Sequence, residues 1–370
     1  MRKLALVVAA LALVTAPAMA TSASTPSAAS STATISAPTV DLGEFTLPRA
    51  TMAKLRADFY DQTMAKHRPG AWAPMKMSLS DKHLAMMGLP SARTLRRMDF
   101  STPTVFHRNG TTSQLDPAVI SYAGLGSFGI RPGAWLLLIS GNSIGWCSAA
   151  HVYGSAGSYD ISTAGHCGRT GDIATVIGVV GNNTPVLIDF GKFATSHDGG
   201  VGNDWALIDI FAQYQHLVTP TMAFWGGPRG MYTKTGSVAS LSFGRNNLLD
   251  PRLTLNPDPL LAQGLLHYGH GTGVGAGGTP RAATAISWGT THFMFFGAIS
   301  PGDSGSGSNT LTGDTVGAAN EAAGINTHLY VDPLMRKGLG IMAGTRATQV
   351  NGTLANGQLV GYPAPIPILP

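Results

Sequence analysis

Charged residues are scarce in this sequence. Of its 370 residues, 12% are charged and 44% are hydrophobic, so a large core is available and neutral polar groups must cover much of the surface. The formal net charge is +5, but no dense cluster of lysine and arginine with interleaved aromatic residues is present. Binding to nucleic acid is therefore not expected.

Long hydrophobic segments are also missing. The apolar run from Leu4 to Val14 is too short to cross a bilayer permanently. It follows Arg2 and Lys3 and precedes the small residues of Ala18-Met19-Ala20, which is the pattern of a secretory signal peptide. We predict a signal peptide over residues 1–20, secretion to the extracellular space, and no membrane association beyond export.

Cysteine is limited to Cys147 and Cys167. An exported protein would allow these two residues to form a disulfide, and closing a loop of that size stabilises a fold by about 3 kcal/mol. A metal site is the alternative interpretation, but the sequence has no CxxC pair to supply it. We therefore expect no metal and no cofactor.

Glycine and proline are plentiful, with 47 and 23 residues respectively. They separate short β-rich runs such as Ala134–Ser140, Ile173–Val180 and Trp205–Phe211. Short strands at close intervals with turn residues between them indicate an all-β protein, built as a sandwich or barrel.

The ends of the chain differ from this central region. Residues 21–40 are almost entirely Ser, Thr, Ala and Pro, which predicts a disordered linker. Residues 41–125 carry no catalytic constellation, but apolar residues recur at helical spacing from Thr51 to His67 and predict one amphipathic helix. Residues 345–370 end in a proline-rich tail, for which we predict an extended or disordered conformation.

Three short segments carry the residue types needed for nucleophilic catalysis. His166 lies in the sequence TAGHC, Asp204 in NDWAL and Ser304 in GDSGS. A serine hydroxyl needs a base at the moment of attack, and the base needs a carboxylate to fix its tautomer. We predict that Ser304 is the nucleophile, His166 the general base and Asp204 the residue that orients the base.

These motifs, in the order His, Asp, Ser, resemble those of the chymotrypsin/trypsin-like serine proteases, and in particular the bacterial secreted branch of streptogrisin and alpha-lytic type. The resemblance implies two packed six-stranded Greek-key β-barrels within residues 126–344, with a C-terminal helix after the second barrel, for which the helix-like stretch over residues 334–342 is the candidate. His166 and Asp204 would come from the first barrel and Ser304 from the second. The implied activity is that of a secreted serine endopeptidase, a monomer that acts on protein or peptide substrates.

The resemblance also implies roles for residues around the serine. The backbone amides of Gly302 and Ser304 would form the oxyanion hole. Asp303 would pair with Arg229, which precedes a Lys-Thr-Gly-Ser-Val segment taken as an opening strand of the second barrel.

The position where a trypsin carries an aspartate is occupied by Ala298, with Ile299 beside it. We therefore expect a specificity pocket for small or medium apolar side chains rather than for Lys or Arg.

The sequence departs from the family in two respects. No cysteine lies in the second half of the chain, and Ser306 and Gly307 follow the nucleophile motif where the family usually has a second glycine and often a proline.

Two questions stay open from the sequence. Residues 41–125 fit a pro-segment that blocks the site of a zymogen, or an extension that stays attached. A non-catalytic, exported binding module with a protease-like fold is the alternative function.

Overall fold

The computed structural model describes residues 40–41, 47–121, 129–181, 183–236, 264–272, 278–311, 320–331, 339–354 and 358–361. The predicted signal peptide and almost all of the predicted linker lie outside the described residues. Among the described helices, none is both long enough and apolar enough to cross a membrane.

The N-terminal part combines short helices with short strands. Its elements are β1 (Val40–Asp41), α1 (Arg49–Lys66), β2 (Trp72–Pro74), β3 (Met77–Ser78), α2 (Asp81–Met86), α3 (Ala92–Leu95), β4 (Thr104–Phe106), β5 (Thr112–Gln114) and β6 (Ile120–Ser121). The helix predicted from Thr51 to His67 is α1. It ends at Lys66, and the next residue, His67, is already extended. Pro69-Gly70 follows shortly after this end of the helix.

The first barrel follows. Its strands are β7 (Trp135–Ser140), β8 (Ser143–Ser148), β9 (Val152–Ser155), β10 (Ser158–Thr163), β11 (Ile173–Val180), β12 (Thr184–Asp198) and β13 (Asp204–Ile210). Only three residues separate β8 from β9, so the two act as one bent strand that pairs with β7 at one end and with β10 at the other. Counted as one strand, they give a barrel of six strands. Around the barrel, β7 is followed by β8/β9, β10, β13, β12 and β11, and β11 pairs with β7 to close the ring.

The second barrel has the same connectivity. After the two-residue β14 (Gly230–Met231), its strands are β15 (Gly264–Gly269), β16 (Thr279–Trp288), β17 (His292–Ala298), β18 (Gly307–Leu311), β19 (Asn320–Tyr330) and β20 (Leu339–Arg346). Pairing between β19 and β20 closes the ring of β15 to β20. The predicted architecture of two six-stranded barrels is thus confirmed.

Two local expectations for the second barrel are wrong. The segment around Arg229 is not one of the strands of the closed ring: among the described residues that ring consists of β15 to β20, Gly230–Met231 pairs in parallel with β19, and Gly236 forms an isolated antiparallel bridge to Trp288. Residues 237–263, which include the end of the predicted opening segment, lie outside the described residues. Of the helix expected over residues 334–342, residues 334–338 lie outside the described residues, and the part from Leu339 onward is strand, since β20 pairs with both β17 and β19 to close the ring. The C-terminal helix comes later, as α4 (Ala347–Asn351).

The N-terminal part packs against both barrels. On β7, Leu136 and Leu138 point into the first barrel, while Trp135 and Leu137 belong to a second apolar cluster shared with α1, α2 and the second barrel. Neighbouring residues of a strand point to opposite faces. The uninterrupted apolar sequence of β7 is explained because the N-terminal part covers its outer face.

The described part of the predicted tail also contacts the first barrel. The Gln358 carbonyl accepts from the Gly154 amide at 2.9 Å, and the Val360 amide donates to the Val152 carbonyl at 2.9 Å. Residues 358–360 are therefore extended, as predicted, and cover the edge of β9. For Ala347–Asn351, also inside the predicted tail, the prediction of an extended or disordered conformation is wrong, because these residues form α4.

Candidate active site

His166 is held in place by the turn that follows β10. This turn is a single 3-10 turn, Gly165–Cys167, and the disulfide between Cys147 and Cys167 ties it to β8, with Cα atoms 6.3 Å apart. Gly165 is required here, because a Cβ atom would lie 1.9 Å from the His197 carbonyl oxygen. The imidazole is consequently fixed by a covalent link and by close backbone packing.

Asp204 begins β13 and is fully buried. Its carboxylate accepts from the His166 backbone amide at 3.0 Å and from the imidazole Nδ1 at 2.5 Å. Burial raises the pKa of this carboxyl, but the charge of His166 and the hydrogen bonds from His166 outweigh burial, so the net pKa lies below its ordinary value. Asp204 is therefore a carboxylate that fixes the His166 tautomer.

A second histidine lies beside this pair. The Nδ1 atom of His328, on β19, is 3.5 Å from the Asp204 carboxylate, and its ring packs edge-on against His166 with centroids 5.6 Å apart. Burial lowers the pKa of His328 to about 4, so the ring is neutral at pH 7. No sequence pattern indicates this contact, since His328 lies in a strand far from both residues along the chain.

Ser304 lies in the turn between β17 and β18, with its hydroxyl hydrogen-bonded to His166 Nε2. Backbone contacts fix the turn: the Ser304 carbonyl accepts from the Ser148 amide at 2.7 Å, and the Gly305 amide donates to the Asn326 carbonyl at 2.7 Å. Gly305 has φ +84°, and a Cβ there would lie 2.1 Å from Thr163 Oγ1. The three sequence-predicted residues thus form one hydrogen-bonded chain across the two barrels.

The departure at Ser306 does not disturb the following strand. Ser306 is buried and its hydroxyl accepts from the Asn326 side-chain amide at 2.9 Å, while β18 begins at Gly307.

Asp303, next to Ser304 in the chain, is fully buried, but its partner is not the predicted one. The Arg281 guanidinium on β16 donates to Asp303 Oδ2, and the Gly271 amide donates to Oδ1 at 2.9 Å. Arg229 is exposed on the loop before β14. The expected Asp303–Arg229 pair is therefore wrong: a buried carboxylate needs a buried cation, and β16 supplies it from within the second barrel.

Gly302, two residues before Ser304, has a left-handed backbone conformation. Its φ is +99°, and a Cβ would lie 2.0 Å from Trp146 Nε1, so only glycine fits. The amide donates at 2.7 Å to the carbonyl oxygen of Met75, a residue of the N-terminal part. Beside Ser304, a peptide carbonyl is therefore already bound.

The N-terminal part covers the site. Residues 72–78 run between the barrels, with β2 pairing with β19 and β3 pairing with β8. The cavity beside His166 is lined by Phe59 and Thr63 of α1 as well as by Pro74 and Lys76. As a result, Ser304 is completely buried.

The predicted pocket residues Ala298 and Ile299 lie at the end of β17 and directly after it. Ala298 ends β17 and accepts a hydrogen bond from His267 Nε2 at 3.1 Å through its carbonyl. Ile299 is fully buried in the same apolar cluster as Met75. This surrounding is apolar, in keeping with the absence of an acidic residue at position 298.

Among the described residues, two groups bring possible metal ligands within 4.8 Å of one another. One contains Cys147 and Cys167, whose sulfur atoms are already joined to each other. The other is His166, Asp204 and His328, in which the Asp204 carboxylate and His166 Nδ1 already share a hydrogen bond. Neither group offers a set of free ligands that fits a resident metal.

Comparisons with known proteins find similarity only among solved structures. No family model and no curated protein matches the sequence. Protease A of Thermobifida fusca is 18% identical, with a TM-score of 0.38, over 62% of this chain and 98% of its own. A glutamic acid specific serine protease that uses a histidine triad in substrate binding is 14% identical, with a TM-score of 0.35, over 60% and 96%.

The thermostable serine protease AL20 from an extremophilic microorganism is 14% identical, with a TM-score of 0.36, over 58% of this chain and 89% of its own. At such identities and TM-scores, these similarities do not establish what this chain does.

Proposed function

We propose that this protein is a secreted serine endopeptidase that hydrolyses peptide bonds through an acyl-enzyme on Ser304. The observation that carries the proposal is the hydrogen-bonded chain from the Ser304 hydroxyl through His166 to the buried Asp204 carboxylate. A buried carboxylate, a fixed imidazole and a hydroxyl in this order constitute the machinery of acyl transfer.

In the proposed reaction, His166 Nε2 takes the proton of Ser304 as its oxygen attacks the substrate carbonyl carbon. Asp204 accepts the Nδ1–H hydrogen bond and stabilises the imidazolium that forms. His166 then protonates the leaving amine, and the same steps with water release the acyl group. The developing oxyanion is stabilised by backbone amides, with that of Gly302 already donating to a peptide carbonyl at 2.7 Å.

The role of Asp303 follows from its surroundings. Arg281, Gly271 and the Ser300 amide, at 2.9 Å, hold its carboxylate and thereby fix the turn that contains Gly302 and Ser304. Asp303 and Arg281 are thus positioning residues for the oxyanion hole. We place the amide of Ser304 as its second donor.

Labelling with a fluorophosphonate probe tests the proposal. Because residues 72–78 cover Ser304, the probe is applied to the full chain and to a Met75→Gly variant, in which no side chain fills the position over the nucleophile. Mass spectrometry then locates the adduct. We expect modification at Ser304 and none in Ser304→Ala, whereas Ser143→Ala, at an exposed serine of β8, keeps the adduct.

Folding of each variant is checked by circular dichroism. A folded chain that takes up no probe at Ser304, in either the wild type or Met75→Gly, would overturn the protease proposal. It would favour a non-catalytic exported binding module.

A further inference from the structure

We propose that the chain is its own first substrate, and that Ser304 cleaves the peptide bond between Met75 and Lys76. This inference rests on the proposed function. It assigns a processing site that no sequence motif marks, and it defines the class of side chain that the site accepts.

The segment before the bond is bound as a strand of the second barrel. Trp72, Ala73 and Pro74 pair antiparallel with Tyr330, Leu329 and His328 of β19. The pairing continues to Met75, whose amide donates to the Thr327 carbonyl at 3.1 Å. An extended peptide added to a sheet edge is a general mode of peptide recognition, in which the backbone fixes the register.

That register brings the Met75 carbonyl to the nucleophile. The Thr327 carbonyl that accepts from the Met75 amide also lies 3.4 Å from the Ser304 hydroxyl. On the other side, the Met75 carbonyl oxygen accepts from Gly302 at 2.7 Å. A carbonyl whose oxygen is held by the amide beside an activated hydroxyl is the one that this hydroxyl attacks.

The segment after the bond is held by the first barrel. Met77 and Ser78 pair with Trp146 and Gly145 of β8, and the Lys76 ammonium donates to the Cys167 carbonyl at 3.0 Å. Backbone contacts therefore exist on both sides of the Met75–Lys76 bond. The bond itself crosses from one barrel to the other at the point where the catalytic residues meet.

The side chain of Met75 defines the substrate class. It is fully buried and belongs to the apolar cluster that contains Ile299 and Leu329. A long and flexible apolar side chain such as that of methionine fills such a site with little strain. We infer that peptides with methionine or leucine before the cleaved bond are the preferred substrates, and that acidic or basic residues there are excluded.

The step balances with one water. Ser304 Oγ bonds to the Met75 carbonyl carbon while its proton passes to His166. The bond to the Lys76 nitrogen then breaks, and His166 returns the proton to that nitrogen. Water next attacks the ester, giving up a proton to His166, and the Ser304 hydroxyl is restored. The products are a chain ending in a Met75 carboxylate and a chain beginning at a Lys76 amine.

The test is purification of the full chain followed by intact-mass measurement and N-terminal sequencing over time. We expect a new N-terminus at Lys76 in the wild type and none in Ser304→Ala. The rate should be independent of protein concentration, because the bond and the nucleophile belong to one molecule. Met75→Leu should cleave within roughly tenfold of the wild-type rate, and Met75→Gly roughly 100-fold more slowly.

Met87→Gly is the matched control, since it also removes a buried methionine side chain of the N-terminal part but lies away from Ser304. It should cleave at the wild-type rate. Equal slowing in Met75→Gly and Met87→Gly would mean that only packing is involved, and would overturn the assignment.

Two further results separate this proposal from the proposed function. A wild-type chain that stays uncut, or is cut elsewhere, while Ser304 takes up the fluorophosphonate would sink the processing site and leave the protease intact. Absence of both cleavage and labelling, in the wild type and in Met75→Gly, would reject the protease function and the processing site together.

Discussion

The two barrels share one connectivity but fix the residues of the proposed triad by different means. In the first, the turn that carries His166 is held by the disulfide between Cys147 and Cys167. In the second, the turn that carries Ser304 has no disulfide, and the buried ion pair of Asp303 with Arg281 takes that place. The same architecture can therefore orient a reactive side chain through a covalent link or through a desolvated charge pair.

The difference has energetic consequences. A disulfide stabilises chiefly by restricting the unfolded chain, so its loss leaves no uncompensated group in the core. A buried ion pair behaves otherwise, because removing one partner leaves the other as an unpaired buried charge. The second barrel should accordingly be the more sensitive of the two to a single substitution.

The largest expected effect concerns Asp204, the buried carboxylate of the first barrel. Asp204→Asn should lower kcat/KM for peptide hydrolysis by roughly 10⁴-fold, because an amide stabilises the wrong tautomer of the histidine in such a triad. The substrate is a synthetic peptide with the sequence of residues 71–78. A loss smaller than tenfold would show that Asp204 does not orient His166.

Replacing Arg281 tests the ion pair of the second barrel. Arg281→Met should lower the free energy of unfolding by about 3 to 5 kcal/mol, because Asp303 would be left buried and unpaired. Arg229→Met, at the exposed arginine, should change it by less than about 0.5 kcal/mol. Urea unfolding measures both. Similar losses in the two variants would contradict the assignment of Arg281 as the partner.

Removing the disulfide probes the first barrel. The double variant Cys147→Ala, Cys167→Ala should lose about 3 kcal/mol of stability. Hydrogen exchange should show the loss of protection concentrated in β8 and β10, with the strands of the second barrel protected as before. An equal loss of protection in β15 to β20 would contradict a stabilising effect of the disulfide that is confined to the first barrel.

Acid should lower the stability of the fold through buried histidines in both barrels. Burial lowers the pKa of His151, between β8 and β9, to about 4, and in the second barrel it lowers the pKa of His267 to about 4 and of His270 to about 3. The unfolded chain, with an ordinary histidine pKa, binds more protons in this range. Stability is therefore present above about pH 6.5 and is lost as the pH falls toward about 4.

One histidine should account for about 2 kcal/mol of the loss between pH 7 and pH 5. His151→Gln should reduce the loss by that amount, since glutamine does not titrate and offers an amide to Asn309, which contacts the imidazole at 2.9 Å. His107→Gln, at an exposed histidine, is the control. Urea unfolding at both pH values measures the loss of unfolding free energy. A loss in His151→Gln equal to that of the wild type would show that His151 does not contribute to it.

Much of the site could be read from the sequence because its motifs are local. Backbone demands explain the glycines of GDSGS, since Gly302 and Gly305 have positive φ and no room for a Cβ. The partner of Asp303 could not be read in this way. Arg229 and Arg281 are both arginines in glycine-rich surroundings, and only the position of the strands decides which of them is buried.

The N-terminal part shows the same limit. The helix α1 followed from its apolar spacing, but nothing in the sequence around Met75 marks it as the residue that faces Ser304. Its position depends on two strand pairings, with β19 and with β8, that join segments far apart in the chain. Register between distant strands is set by the packing of whole faces.

Local sequence was enough to predict the all-β architecture, the two cysteines available for a disulfide, and Ser304, His166 and Asp204 as the candidate triad. These depend on residue type, local spacing and turn chemistry, which are properties of short segments. Three features became visible only in the folded chain: Arg281 pairs with Asp303, His328 lies beside Asp204, and the Met75 carbonyl binds the Gly302 amide. Each of these is a contact between distant segments, fixed only when the strands close into barrels and burial makes every unpaired charge and every misplaced side chain costly.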